Sequence, residues 1–300
     1  MISEEHCIKL KGVIAALCTP MREDLSIDFS ALEKQTGYLS AAGVQGFFVN
    51  GTTAEGPLLS TAEKRDVLAA VRAAAGREKF LCAACIQPST FQVVREIREL
   101  SDLEPEFFVA VSPFYFKADQ AAIIRHYDTI AAASPVPVIL YNIPQNTHNP
   151  LELDTVLALA AAGNIAGIKD SSGNFLNFTR GLLRHPPGFA WIQGEDYLPG
   201  ASFLMGADAL VTGLGNIFIE PYVMMYRALT AGDREGLLRG QHAINRLYSL
   251  LEKRPGRNIA TIKAAGYLLG RGNLWQRTGQ AGLTEDELRL LKDEVSALNT

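Results

Sequence analysis

One lysine of the sequence closes an apolar run and is suited to covalent chemistry. Lys169 stands next to the end of the run 165–170, which is apolar up to that point and finishes with Asp170. Burial disfavours the charged ammonium and leaves some neutral amine, which condenses with a ketone to a Schiff base. The protonated imine draws off the negative charge that develops when a neighbouring carbon–carbon bond breaks or forms, and this step requires no metal. A structural interpretation competes with this one: Lys169 reaches solvent with its ammonium or pairs with Asp170.

Two further segments end in groups that suit the same reaction. Tyr141 stands near the end of the apolar run 136–142, one predicted strand away from Lys169, and its phenol is a candidate proton shuttle for imine formation. The alternative is a core tyrosine whose hydroxyl binds the backbone. Residues 50–56, Asn-Gly-Thr-Thr-Ala-Glu-Gly, combine hydroxyls with small residues whose backbone N–H groups converge, as carboxylate-binding loops do. An ordinary turn has the same composition.

Metal, redox and dinucleotide chemistry find little support. The five histidines show no HxxxH spacing, and no metal or cofactor is expected. Cys82 and Cys85 lie in an apolar run where side chains three residues apart point to opposite faces of a strand. They are therefore predicted to be buried structural thiols, free like Cys7 and Cys18. The segment 213–218 begins as a dinucleotide fingerprint does but lacks the third glycine.

Composition and charge exclude several classes of protein. With 48% hydrophobic and 20% charged residues, the 300-residue chain has the composition of a globular protein with a large core, which excludes a disordered or fibrous one. A net charge of −4 lacks the basic excess that nucleic-acid binding requires. No stretch reaches the ~18 apolar residues of a membrane span, and the N-terminus shows no secretory signal. We therefore expect a cytoplasmic protein without a nucleic-acid or membrane partner.

The candidate residues need a scaffold, and the apolar runs of the sequence indicate one. Eight short runs start 18 to 36 residues apart, the length of a strand followed by a loop and a helix. They are apolar on both faces, as buried parallel strands are. Capping boxes predict helix starts at Ser30, Ser60 and Thr284. The runs are 13–19, 44–50, 80–85, 107–112, 136–142, 165–170, 189–193 and 207–212.

This pattern predicts an α/β fold, a (β/α)8 TIM barrel with a C-terminal helical extension. We expect the catalytic barrel over residues 1–220 and the extension, whose apolar spacing is helical, over residues 221–300. The interval before the eighth run is short for a full helix, which makes the seventh unit the weakest part of the pattern. Active sites of such barrels lie at the C-terminal ends of the strands, where Lys169, Tyr141 and the loop 50–56 stand.

The residues at the ends of these runs also give the chain a family resemblance. It resembles the dihydrodipicolinate synthase and N-acetylneuraminate lyase family of pyruvate-dependent class I aldolases over almost its whole length. Each matching segment is weak alone, but together they occur in the family's order and at the predicted strand ends. The segments are 12–20, 51–56, 112–115, 141–144, 167–173 and 206–208.

The resemblance implies roles for four catalytic residues. Lys169 matches the lysine that forms the Schiff base, and Tyr141 matches the tyrosine that transfers protons. Thr52 and Tyr115 match the rest of a proton relay, in which Tyr115 reaches in from a neighbouring subunit. The family is commonly a homotetramer built from tight dimers, so the resemblance implies the same assembly here.

The resemblance also implies how pyruvate is held. The main-chain groups of Thr52 and Thr53 match those that bind the pyruvyl carboxylate. Gly194 and Val211 match positions whose backbone lines the pocket. No cofactor is implied, and the expected ligands are pyruvate and an aldehyde, or the 2-keto acid that contains both.

Departures from the family's patterns bear on the substrate. Synthases that condense pyruvate with aspartate semialdehyde usually carry an arginine where this chain has Asn146, and asparagine cannot replace that arginine's bidentate hold on a carboxylate. Neuraminate lyases place an acidic residue where Tyr197 follows Asp196. Ala54 replaces a usual glycine, which puts the backbone angles of the loop in question. We expect Asn146, Asp196 and Tyr197 to offer polar partners to the hydroxyls of a sugar-like aldehyde.

The sequence therefore predicts a Schiff-base aldolase or lyase that reversibly cleaves a 2-keto acid to pyruvate and an aldehyde. The loop 50–60 is similar to that of 2-keto-3-deoxy sugar acid aldolases, and Asn146 is similar to the residue of 4-hydroxy-2-oxoglutarate aldolases, so a hydroxy keto acid of this type is the expected substrate. The alternatives are a dihydrodipicolinate synthase, a dehydratase that uses the same imine and, from a different class, a non-catalytic pyruvate-binding regulatory relative. The joint presence of Lys169, Tyr141, Thr52 and Tyr115 argues against the last.

Overall fold

Eight parallel strands pair in chain order and close into a barrel in the computed structural model, which describes residues 10–298. Every strand residue is buried, as expected for strands that face a barrel interior on one side and helices on the other. The predicted barrel fold is confirmed. The strands are β1 (Gly12–Ala16), β2 (Gly46–Val49), β3 (Phe80–Ala84), β4 (Phe107–Val111), β5 (Val138–Asn142), β6 (Ile165–Asp170), β7 (Ala190–Gln193) and β8 (Ala209–Thr212).

Helices follow the strands and cover the outside of the barrel. The seventh unit contains a helix of only six residues, in agreement with the short interval in the sequence. The helices are α1 (Phe29–Ala42), α2 (Thr61–Ala75), α3 (Thr90–Leu100), α4 (Gln120–Ala133), α5 (Pro144–Thr147), α6 (Leu153–Ala160), α7 (Phe175–Leu182), α8 (Pro199–Leu204), α9 (Glu220–Thr230), α10 (Arg234–Glu252), α11 (Asn258–Leu268) and α12 (Glu285–Leu298).

Two of the three predicted capping boxes are confirmed. Ser60 and Glu63 exchange both hydrogen bonds at the start of α2, and Thr284 and Glu287 do so before α12. The box at Ser30 is wrong, because α1 already begins at Phe29. Asp28 is the N-cap instead, and its carboxylate accepts the N–H of Ala31 at 3.2 Å. A carboxylate in extended backbone ahead of the first turn satisfies the free N–H groups, so Ser30 is left inside the helix.

All strands except β6, which matches its run, are shorter than the apolar runs that predicted them. The run 44–50 begins with Val44, whose N–H donates to Leu39 O at the end of α1, so Val44 belongs to the helix C-terminus and β2 starts at Gly46. Gly43, with φ of +101°, makes the left-handed turn that this ending requires. Here the apolar run therefore extends beyond the hydrogen-bonded strand into the buried turn that precedes it.

The core has two apolar layers, one inside the barrel and one between the barrel and its helices. Cys82 belongs to the inner layer and Cys85 to the outer one, as predicted from their spacing. Both thiols and Cys18 are free and buried, and burial raises the pKa of the Cys18 thiol to about 12. Cys7 lies outside the described residues. Within residues 10–298, no helix is long and apolar enough to cross a membrane.

The C-terminal part continues as helices. α9 follows β8 and packs against β1, while α10, α11 and α12 pack against one another beyond it. The boundary at residue 220 falls where α9 begins, and the division into two domains there stays a prediction.

Candidate active site

Lys169 lies inside the barrel with its ammonium between two aromatic rings. Its Nζ is 4.0 Å from the centroid of the Tyr141 ring and 4.2 Å from that of Phe48. The side chain is only 5% exposed, which excludes an ammonium extended to solvent. Asp170 points to the opposite face of β6, where Oδ1 accepts from Asn142 Nδ2 at 3.1 Å. The pairing that competed with a chemical role for Lys169 is therefore not formed.

Tyr141 stands directly beside Lys169 on the neighbouring strand. The two residues are partners in the register of β5 and β6. The Tyr141 hydroxyl lies 3.4 Å from Oγ1 of Thr52, so its hydrogen-bond partner is a side chain of the predicted carboxylate-binding loop. The ring also meets Phe48 edge to face, with centroids 5.6 Å apart. The structure thus brings Lys169, Tyr141 and Thr52 together at the ends of three strands.

The loop after β2 is a closed turn that holds Thr52 and Thr53 in place. Gly56 N–H donates to Gly51 O at 2.9 Å, and Glu55 N–H donates to Thr52 O at 3.0 Å. Ala54 has no positive φ, so the glycine usual there is not needed; the left-handed position is its neighbour Glu55, with φ of +59°. The departure at Ala54 therefore leaves the loop intact.

Two glycines make room for these side chains. A Cβ on Gly194 would lie 2.9 Å from Lys169 Cε and 2.3 Å from Ser171 Oγ, so any side chain there would displace the lysine. A Cβ on Gly213 would lie 2.9 Å from Thr53 Oγ1. Val211 is buried in the inner layer of the barrel, on β8.

The residues predicted to bind the aldehyde lie in different surroundings. Asn146 is exposed on the short helix α5. Tyr197 is 48% exposed, and its ring packs on Tyr248 with centroids 5.2 Å apart. Asp196 supports the loop after β8: its carboxylate accepts from Gly213 N–H at 3.3 Å and from the Tyr222 hydroxyl at 3.2 Å. Burial raises the pKa of Asp196.

Tyr115 lies on the surface of the chain and away from Lys169. It is 86% exposed and has a left-handed backbone with φ of +77°. Its ring packs edge to face on Phe116, itself 78% exposed, at a centroid distance of 5.0 Å. Within one chain, these two aromatic residues form a projection that touches no other ring of the site.

Two residues of the site were not identified from the sequence. Phe48 forms one wall around Lys169, and only its inward position near the end of β2 signals this role. Glu195 follows β7, is half-buried and has a raised pKa, chiefly because of burial and then because of the charge of Asp196. The positive charge of Lys169 acts in the opposite direction on the pKa of Glu195. A carboxylate two residues after the end of a barrel strand is the signal that identifies it.

Comparisons with known proteins agree with this geometry. The sequence matches the dihydrodipicolinate synthetase family over residues 9–298. It is 32% identical to an uncharacterised DapA-like lyase of Halobacterium salinarum, over 96% of this chain and 94% of that protein. It is also 32% identical to a 4-hydroxy-tetrahydrodipicolinate synthase of Chlorobium phaeovibrioides, over 96% of this chain and 97% of that protein. Its structure is similar to that of the chloride-inhibited dihydrodipicolinate synthase of Acinetobacter baumannii complexed with pyruvate, with a TM-score of 0.91, 26% identity and coverage of 97% and 99%.

The sequence match and the structural match both extend over nearly the whole chain. The resemblance drawn from short motifs is therefore confirmed by similarity that includes the barrel and the helices after it. The chain belongs to the dihydrodipicolinate synthetase family of class I aldolases and lyases, which act through a lysine Schiff base.

Proposed function

We propose that Lys169 forms the Schiff base and that the enzyme reversibly cleaves a hydroxylated 2-keto acid to pyruvate and an aldehyde. The observation that carries this proposal is the position of Nζ, buried inside the barrel and 4.0 Å from the ring of a tyrosine. Among the described residues, no carboxylate forms an ion pair with this ammonium, so its nitrogen is not committed to a structural partner.

The reaction balances with the groups present. The Lys169 amine adds to the ketone carbon, water leaves, and a protonated imine forms. The bond between the third and fourth carbons then breaks, its electron pair moves towards the imine nitrogen, and the fourth carbon leaves as an aldehyde after its hydroxyl loses a proton. The resulting enamine takes a proton on its third carbon, and water releases pyruvate and regenerates the amine.

The surrounding residues suit these steps. The rings of Phe48 and Tyr141 present their faces to the nitrogen and stabilise the positive charge of the imine. The hydroxyls of Tyr141 and Thr52 form the proton-transfer pair. We assign the carboxylate of the keto acid to the main-chain N–H groups of Thr52 and Thr53, as the family resemblance implies.

For the aldehyde half, we propose a neutral hydroxylated group. Asn146 offers an amide in place of a charge, and Tyr197 is exposed and accessible to ligand. Asp196 is engaged by Gly213, Leu214 and Tyr222, so it serves this half through the loop that it supports. Glu195, half-buried two residues after the end of β7, is our candidate to accept the proton that this hydroxyl loses.

The second candidate is a 4-hydroxy-tetrahydrodipicolinate synthase. The names of relatives such as the Chlorobium phaeovibrioides enzyme favour it. Both candidates use the same imine and differ in the aldehyde. A panel of 2-keto acids, and of aldehydes offered with pyruvate, distinguishes them: a hydroxyaldehyde used faster than aspartate semialdehyde supports the aldolase, and the reverse order supports the synthase.

We further propose that the working unit is a homotetramer in which Tyr115 completes the site of a neighbouring subunit. The exposed pair of Tyr115 and Phe116 supports this, because two adjacent exposed aromatic rings form a contiguous apolar patch of the kind that marks protein–protein interfaces. Tyr115 would then supply the third hydroxyl of the relay formed by Tyr141 and Thr52.

A further inference from the structure

The carboxylate-binding loop is attached to the C-terminal extension through one buried glutamate. Glu55 lies in the loop, three residues after Thr52, and is 2% exposed. One oxygen, Oε1, accepts from Lys263 Nζ of α11. The other, Oε2, accepts from the N–H groups of Arg277 at 2.6 Å and Thr278 at 2.9 Å. Both oxygens of a loop residue are thus held by residues more than 200 positions later in the chain.

Lys263 is equally committed to this contact. It is 3% exposed and also donates to Trp275 O at 2.8 Å. A buried charge that loses its partner strongly destabilises the fold. A buried ion pair is tolerated when further hydrogen bonds to its charged atoms help to offset the cost of removing them from water. The segment 275–278 therefore supplies the main-chain groups that make the buried Glu55–Lys263 pair possible.

A second ion pair fixes the same segment on the other side of the loop. The Arg277 guanidinium donates to Glu63 in the first turn of α2, with Nη1 2.9 Å from Oε2. It also donates to Leu58 O at 3.1 Å and to Leu25 O at 2.9 Å. The loop continues into a 3₁₀ turn, Gly56–Leu58, which is therefore held between the carboxylates of Glu55 and Glu63, both in contact with Arg277.

A shift at Glu55 has a direct path to the residues that would bind pyruvate. The N–H of Glu55 donates to Thr52 O, and a Cβ on Gly56 would lie 1.8 Å from Asn50 O, so the turn has no spare room. Thr53 in turn lies against Gly213 at the end of β8. Movement of Glu55 therefore displaces Thr52 and Thr53 and is not absorbed within the loop.

We propose that Glu55 is a positioning residue and that its pair with Lys263 couples the C-terminal extension to the loop that binds the keto-acid carboxylate. This inference rests on the proposed function, because it assigns Thr52 and Thr53 to that carboxylate. The coupling predicts a loss of pyruvate affinity when the pair is removed, with the chemistry at Lys169 preserved once pyruvate is bound.

The test compares Glu55→Gln with a buried pair of the same kind elsewhere in the fold. Lys64 of α2 and Glu96 of α3 form a buried ion pair. The main-chain oxygen of Lys64 accepts from Asn50 Nδ2 of the loop at 3.0 Å, and a change of the Glu96 side chain leaves both of these groups in place, so Glu96→Gln is the matched control. A double variant, Glu55→Gln with Lys263→Met, removes the unpaired buried charge and keeps the protein folded for measurement. For each protein, borohydride labelling of Lys169 is measured as a function of pyruvate concentration, together with the thermal midpoint.

We expect Glu55→Gln and the double variant to need about tenfold more pyruvate for half-maximal labelling. A tenfold change corresponds to the loss of about one hydrogen bond to a charged group. The maximal extent of labelling should be unchanged. We expect Glu96→Gln to lower the thermal midpoint and leave the pyruvate dependence unchanged. Unchanged pyruvate dependence in both Glu55 variants, or an equal shift in Glu96→Gln, would overturn the coupling alone. An unlabelled wild-type protein would instead contradict the proposed function, and the coupling with it.

Discussion

Lys169 and Tyr141 are register partners on adjacent strands, and the lysine nitrogen lies against the face of the tyrosine ring at 4.0 Å from its centroid. The same tyrosine directs its hydroxyl to Thr52, 3.4 Å away. One side chain therefore contacts the candidate nucleophile with its ring and, with its hydroxyl, the loop that we propose binds the carboxylate. Removal of the hydroxyl alone separates the two contributions.

Tyr141→Phe is expected to lower kcat by about 10²- to 10⁴-fold, the usual effect of a positioned acid or base. The ring that packs on Phe48 and faces Lys169 remains, so the thermal midpoint should be unchanged. Steady-state kinetics and a melting curve measure both. A variant with the wild-type rate would show that Tyr141 is a core tyrosine only.

Gly194→Ala is expected to impair imine formation, because its Cβ would lie 2.9 Å from Lys169 Cε. The lysine must move, and a misplaced reacting group costs up to about 10²-fold in rate. Gly37→Ala is the control, since a Cβ there meets nothing within 4 Å and the position lies in α1. The rate of borohydride labelling with pyruvate is the measurement. Equal rates in the two variants would refute the steric role of Gly194.

Aspartate semialdehyde is expected to be used less well than a neutral hydroxyaldehyde such as glyceraldehyde. An arginine that binds a carboxylate contributes about 1.5 to 3 kcal/mol, so its replacement by Asn146 should lower kcat/KM for aspartate semialdehyde by roughly 10- to 100-fold. Asn146→Arg should recover part of this loss. A wild-type preference for aspartate semialdehyde would favour the synthase.

The contribution of Glu63 to stability is expected to fall in acid. Its hydrogen bonds and ion pair with Arg277 lower its pKa from 4.5 to about 2 in the folded protein. Because the pKa of Glu63 is lower in the folded than in the unfolded protein, the ionised group stabilises the fold at pH values above about 4.5. This stabilisation is lost as the pH falls from about 4.5 towards 2. Glu63→Gln should therefore lower the thermal midpoint at pH 7 and do so less at pH 3. A difference that stays constant with pH would contradict this assignment.

Dissociation of the subunits is expected to reduce activity if Tyr115 completes a neighbouring site. Phe116→Asp places a charge beside Tyr115 on the exposed aromatic pair and should weaken assembly. Sedimentation and kcat are measured on the same samples. A monomer with full activity would exclude the shared relay.

Part of this site was predictable from the sequence because strand ends converge in a barrel. Lys169 and Tyr141 both stand next to the end of an apolar run, and the topology places them side by side. The start of α1 was not predictable from the sequence, because Asp28 and Ser30 are both good N-cap residues and only the backbone conformation decides between them. The Glu55–Lys263 pair was not predictable either, because its members are 208 positions apart in the chain and no local pattern connects them.

The surroundings of Lys169 also depend on contacts between residues that are distant in the sequence. The sequence shows a lysine in an apolar run, but the ring of Phe48 beside its nitrogen comes from a strand far away in the chain. Barrel closure supplies that contact, and the packing of inner side chains decides which aromatic residue makes it.

The identity of the lysine that pyruvate modifies tests the Schiff-base mechanism most directly. The protein is treated with pyruvate and borohydride, digested and analysed by mass spectrometry, with Lys169→Ala as the control. Lys64 and Lys263 are buried as well, but both are held in ion pairs. We predict a single adduct, on Lys169, and neither labelling nor turnover in the variant. An adduct on another lysine, or no adduct in the wild-type protein, would contradict the Schiff-base mechanism at Lys169.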